Sequence, residues 1–151
     1  MTVPQVSFYL LPEHSADTES QLATEPAFFH VAAKLCADLY QAGQRVFVFC
    51  QNQADAELLD EVLWRFDPER FVPHNLAGEG PARGAPVEIS WLPPSNARPV
   101  LINLSATVPP FSQRFQQIIE FVPAEEQLKV QARERFKFYR QSGLTPQTVQ
   151  L

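Results

Sequence analysis

His74 and Glu79 form the first pair in this chain whose types suggest chemistry, since an imidazole near a carboxylate can act as a general base with an orienting acid. No Ser or Cys stands in a recognisable nucleophile motif, and His14 and His30 lie far away in sequence. The simpler expectation is that His74 hydrogen-bonds loop backbone. The stretch Gly78-Glu79-Gly80-Pro81-Ala82-Arg83-Gly84 has the glycine content of a phosphate loop. Such a loop needs consecutive amide donors at a helix start and, in its commonest form, a Lys followed by Ser or Thr. Here prolines interrupt the donors and no such Lys exists, so the glycines read as backbone that needs unusual angles. Cys36 and Cys50 sit among apolar neighbours and read as buried, reduced thiols. The acidic residues show no metal-ligand spacing, and Glu125-Glu126 suits the positive end of a helix dipole. No catalytic residue, cofactor or metal is expected, and a nucleotide hydrolase or nuclease centred on His74 and Glu79 stands as the alternative.

Two features point toward partners instead. Trp64 falls on the side of its predicted helix opposite Leu58, Val62 and Phe66, and a tryptophan aimed away from its own core is a typical contact anchor. Phe71 could widen the same patch, or the loop around it could simply cover Trp64. Near the end of the chain, Lys129, Arg133, Phe136 and Arg140 share a narrow helical stripe, with Lys137 at its border and Leu128, Ala132 and Tyr139 on the adjacent apolar face. An aromatic ring among cations suits an acidic peptide with one apolar anchor, because Arg can grip a carboxylate through two parallel hydrogen bonds. A solvated basic face and a DNA phosphate site are the competing readings of the same charges.

Positioning these residues falls to alternating strand and helix signals. Apolar or β-branched runs at residues 6–11, 46–50, 87–91, 100–104 and 118–122 predict five strands. The wholly apolar run at 46–50 has the pattern of a strand covered on both faces. Phe28, Val31, Ala32, Leu35 and Leu39 recur at helical spacing before Gly43. Asn52 can cap a second helix with Ala54, Leu58, Leu59, Val62 and Phe66 on one face. Residues 111–117 could form a short helix, and a last one is predicted over 124–142, stopped at Gly143. Residues 12–26 lack any period and read as a flexible loop; residues 71–86 read as a long structured one. The expected fold is one α/β domain over 1–151: an open, mostly parallel, Rossmann-like sheet of about five strands flanked by about four helices.

Composition agrees with a packed chain. At 151 residues it can bury roughly two-thirds of its unfolded surface, and 45% hydrophobic against 19% charged residues is far from a disordered composition. A formal net charge of -5 argues against strong direct nucleic-acid binding. Neither a secretory signal nor a run long enough to span a membrane is visible, which leads to a cytoplasmic expectation.

The residues Phe71-Val72-Pro73-His74-Asn75-Leu76-Ala77-Gly78-Glu79-Gly80 and Gly84-Ala85-Pro86-Val87-Glu88-Ile89 strongly resemble the chi subunit family of bacterial DNA polymerase III holoenzyme. The likeness includes Phe8-Tyr9-Leu10-Leu11, Leu59-Asp60-Glu61 to Trp64, Phe121-Val122-Pro123 and Ala132-Arg133-Glu134-Arg135. The resemblance implies a non-catalytic accessory subunit that joins the psi subunit, and through it the clamp loader, to the acidic C-terminal tail of single-stranded-DNA-binding protein. It places the tail site at Val122, Lys129, Arg133, Phe136, Lys137 and Arg140, and the psi site at Trp64 and Phe71. A DNA helicase pairs through the psi surface in some members. Phe136 stands where the best-known members carry Tyr, so the resemblance implies an apolar wall without its hydroxyl, and the loop at 12–26 is longer than in those relatives.

Overall fold

The computed structural model describes residues 3–12, 27–65, 72–79 and 84–150. The expected loop at 12–26 lies, apart from Pro12, outside the described residues, as do Phe66 and Phe71. Among the described residues, seven strands form one sheet: β1 (Gln5–Leu10), β2 (Val46–Phe49), β3 (His74–Leu76), β4 (Val87–Ser90), β5 (Val100–Asn103), β6 (Gln117–Val122) and β7 (Gln147–Gln150). Their spatial order is β3-β4-β2-β5-β6-β1-β7, and every pairing is parallel. Three α-helices are described, α1 (Ala27–Gln41), α2 (Gln53–Arg65) and α3 (Glu126–Gln141).

Burial explains this order. β2 sits at the centre between β4 and β5, and Val46, Phe47 and Val48 are fully buried, as a strand covered on both faces requires. One face packs Val46, Val48, Ile89, Ile102 and Phe121 against α1 and α2; the other packs Phe8, Phe47, Leu101 and Ile118 against Tyr139 of α3 and the aromatic pair Phe111 and Phe115. Small residues make the contact on α1. Ala32, Ala33, Cys36 and Ala37 are buried and let the helix approach closely, while the larger Phe28, Val31, Leu35 and Leu39 flank that line half-buried. Both cysteines are free and buried, and burial pushes the Cys36 thiol up to about 12.

The five predicted strands are all present, and the differences lie at the margins. β3 and β7 add one strand at each edge of the sheet. Each has a single aliphatic residue and short length, too little pattern to separate it from loop. The short helix expected at 111–117 is one 3-10 turn at Ser112–Arg114, because Pro109-Pro110 precedes it and β6 already begins at Gln117. That leaves three described helices rather than four. On α2 the buried set is Ala56, Leu59, Val62 and Leu63, whereas Ala54 is exposed. The α2 start agrees with its expected cap: the Asn52 side-chain oxygen accepts the Asp55 N–H at 2.9 Å.

Candidate functional site

In β1 the alternation of side chains sends Phe8 and Leu10 to the α3 side of the sheet. Register sets Phe8 beside Glu120 and Leu10 beside Val122 on one flank, and Phe8 beside Thr148 on the other. α3 lies over this row and presents Lys129, Ala132, Arg133 and Phe136 along its flank. Together these residues line a groove of about 180 Å³ at the edge of the sheet. Phe136 packs on Phe8 with ring centroids 5.1 Å apart, forming one apolar wall. Arg133 is exposed and Lys129 half-buried, so their cations rim the groove while their stems cover apolar surface.

Four of the six residues assigned to the tail site, Val122, Lys129, Arg133 and Phe136, therefore meet in one groove. Arg140 lies one turn on, in an adjoining depression that shares Phe136 and is bounded by Gly143, Leu144, Thr145 and Pro146. Lys137 stands apart: it is exposed, lines neither space and approaches Glu134 at 3.5 Å.

A buried polar staple orients α3, and sequence reasoning missed it. Glu120 is fully buried in β6. It accepts bonds from Arg135 Nε at 2.8 Å, Asn103 Nδ2 at 2.8 Å and the Tyr139 hydroxyl at 2.6 Å. Arg135 also donates to the carbonyls of Ala106 and Phe121. Burial raises the Glu120 carboxyl above its ordinary value, opposed first by Arg135 and then by these hydrogen bonds. Burial, followed by the charge on Glu120, likewise raises the Tyr139 hydroxyl. Arg135 and Tyr139 of α3 are thus tied to β6 and to the loop after β5, fixing the rotation that turns Lys129, Arg133 and Phe136 toward the groove. The available signal was Glu120 itself, a charge between Ile118 and Val122 on an inward-facing row of a covered strand, which demands a partner.

Trp64 is 61% exposed at the end of α2. Beneath it lies His74, its ring centroid 4.9 Å from that of the indole. His74 Nδ1 donates to the Val72 carbonyl at 2.7 Å, the backbone role expected for it, and its Nε2 lies 3.2 Å from an Asp60 carboxylate oxygen. Glu79 is exposed and is not among these contacts. Burial raises the Asp60 carboxyl, against a lowering by His74.

A further crevice of about 250 Å³ opens beyond the carboxyl ends of β2, β5 and β6, where the strand order reverses and open α/β sheets commonly hold ligands. Its polar lining is largely self-satisfied. Asn103 and Ser105 bond each other, the Thr107 carbonyl and Glu120, while Gln51 accepts the Ala106 N–H. Asp55 places a carboxylate in the first turn of α2, where a phosphate would otherwise lie. Gly84, the last residue of the glycine-rich segment, lies instead beside Arg98 and Glu88. It has φ +77°, and a Cβ there would lie 2.5 Å from an Arg98 guanidinium nitrogen and 2.8 Å from a Glu88 carboxylate oxygen. Among the described residues, no three His, Cys, Asp or Glu side chains are placed to hold a metal, and no helix is long and apolar enough to cross a membrane.

Fold and groove define an open parallel α/β domain with a cation-rimmed apolar slot on one edge and an exposed indole elsewhere. Residues 3–147 match the family model described as "DNA polymerase III chi subunit, HolC". The chain is 43% identical over 138 residues to DNA polymerase III subunit chi of Haemophilus influenzae, covering 90% of each chain. It is 40% identical over 144 residues to the Escherichia coli subunit chi, covering 94% of this chain and 95% of that one. The Pseudomonas aeruginosa subunit chi is 36% identical over 140 residues, with 92% and 91% covered. Among solved structures, the crystal structure of T4 UvsW superposes with a TM-score of 0.63 at 9% identity, covering 97% of this chain and 41% of that one, a likeness of fold alone. The chain belongs to the DNA polymerase III chi subunit family.

Proposed function

We propose that this chi-family subunit is a non-catalytic adaptor that holds the acidic C-terminal tail of single-stranded-DNA-binding protein in the α3 groove and the psi subunit at Trp64, and through psi the clamp loader. The observation that carries the reading is the groove: apolar walls from Phe8, Leu10, Val122 and Phe136, with Lys129 and Arg133 at the mouth. An aromatic or large aliphatic terminal side chain fills such walls, and a free carboxylate with acidic neighbours meets the cations. Arg140 extends the positive rim along the peptide, and Lys137 contributes longer-range attraction from outside the groove. Phe71, which lies outside the described residues, is assigned to psi together with Trp64 on the family resemblance alone, and a DNA helicase would use the same surface. The subunit acts in the bacterial cytoplasm, where it raises the local concentration of polymerase machinery on protein-coated template without touching bases.

Mixing the chain with psi and tail-bearing single-stranded-DNA-binding protein in analytical sedimentation tests this. All three should travel as one complex. Trp64→Ala should release psi and keep the tail partner, and Arg133→Ala should do the reverse. Loss of both partners in either variant, with folding intact, would contradict two separate sites.

A further inference from the structure

β7 closes one end of the sheet. It pairs with β1 on its inner side and with no described strand on its outer side. In a parallel ladder alternate residues turn their N–H and C=O groups toward opposite neighbours, so half of the β7 backbone groups face outward. Natural edge strands usually refuse a further strand by means of a lysine, a proline or a bulge. Gln147-Thr148-Val149-Gln150 has no charge and no proline, and its register with β1 runs without interruption from Ser7↔Gln147 to Leu10↔Gln150. The opposite edge strand, β3, has only three residues.

The open edge is also continuous with the groove. Thr148 stands beside Phe8 on the α3 face and lines the same space as Lys129, Arg133 and Phe136. A peptide anchored there lies beside β7 as it leaves. We propose that the outer edge of β7 receives the extended segment preceding the apolar end of an acidic peptide, adding it as a further strand beside the groove. This rests on the groove's being the acidic-peptide site. Charge selects the occupant: the cations of α3 flank this edge, whereas a second copy would bring together two chains of formal charge -5. Backbone pairing would hold the segment whatever its side chains, leaving sequence preference to the anchor and the acidic residues.

The test uses the full chain and three synthetic acidic peptides ending in phenylalanine with a free carboxylate. One is unmodified, and two are N-methylated at alternate positions upstream of the anchor, one in each register. Hydrogen exchange is followed at the β7 amides. The unmodified peptide should slow exchange at alternate β7 residues. One methylated register should bind roughly tenfold more weakly, as loss of backbone hydrogen bonds implies, and the other like the parent. Equal binding of all three with unchanged β7 exchange would overturn the proposal and leave the groove reading intact. No binding by any peptide would overturn both. Protection of β7 that rises with protein concentration alone would put a second copy on the edge, and also overturn it.

Discussion

Replacing Arg135 with methionine removes the guanidinium that, among the described residues, is the cation paired with Glu120. The Nε bond to Glu120 at 2.8 Å is lost, together with bonds to the Ala106 carbonyl at 3.0 Å and the Phe121 carbonyl at 3.2 Å. Methionine fills much of the stem volume, so the cost is chiefly electrostatic. Asn103 and Tyr139 still donate to Glu120, which softens the loss without supplying a charge. Removing one partner of a buried ion pair costs about 3–5 kcal/mol. Against a total stability of about 5–15 kcal/mol, this is a large share, and melting should fall by roughly 10 °C. The pH dependence has a definite sign. Burial already holds the Glu120 carboxyl above its ordinary 4.5, and Arg135 is the strongest opposing influence, so its removal raises the carboxyl further. A carboxyl that binds its proton more tightly when folded contributes stability that is full below its unfolded value and lost as pH rises through its folded value. The deficit of Arg135→Met should therefore be largest near neutrality and shrink toward about pH 4, measured by urea unfolding at several pH values. A deficit below about 1 kcal/mol at neutral pH, or one that grows in acid, would refute the staple.

Trp64→Ala should change unfolding stability by less than about 1 kcal/mol, because the side chain is mostly exposed, yet weaken psi binding by at least about 2 kcal/mol in calorimetry. Phe136→Tyr adds a hydroxyl at the groove while keeping its packing on Phe8, and peptide affinity should rise by up to about 1 kcal/mol, read by fluorescence polarisation. Gly84→Ala should destabilise by about 2 kcal/mol in urea unfolding, since its positive φ and a Cβ 2.5 Å from Arg98 combine strain with a buried clash.

How far the sequence reached depended on whether a residue's role was visible in its neighbours. The central strands were legible because Val46, Phe47 and Val48 form an apolar run bounded by turn residues, and the cap at Asn52 because its side chain serves a local amide. The edge strands were not, because β3 and β7 owe their form to pairing with β4 and β1, which are distant in the chain. Four of the groove residues could be grouped because Lys129, Arg133 and Phe136 repeat at helical spacing and the family likeness supplied Val122. Lys137 fell beside the stripe in the same pattern, but its side chain turns to Glu134. Phe8, Leu10 and Thr148, which complete the groove, come from two strands that no local rule connects to α3. Arg135 was the hardest to find. It lies in a run of charges that reads as solvated, and only the fold brings it to Glu120.

The most direct measurement of the adaptor reading is a calorimetric titration of the intact chain with a short acidic peptide ending in phenylalanine carboxylate. The amidated peptide and Arg133→Ala serve as paired controls. Micromolar binding, about -8 kcal/mol, that falls with added salt and is lost in both controls is the predicted result. A folded chain that ignores the peptide, or binds its amide equally well, would contradict the assignment of the α3 groove.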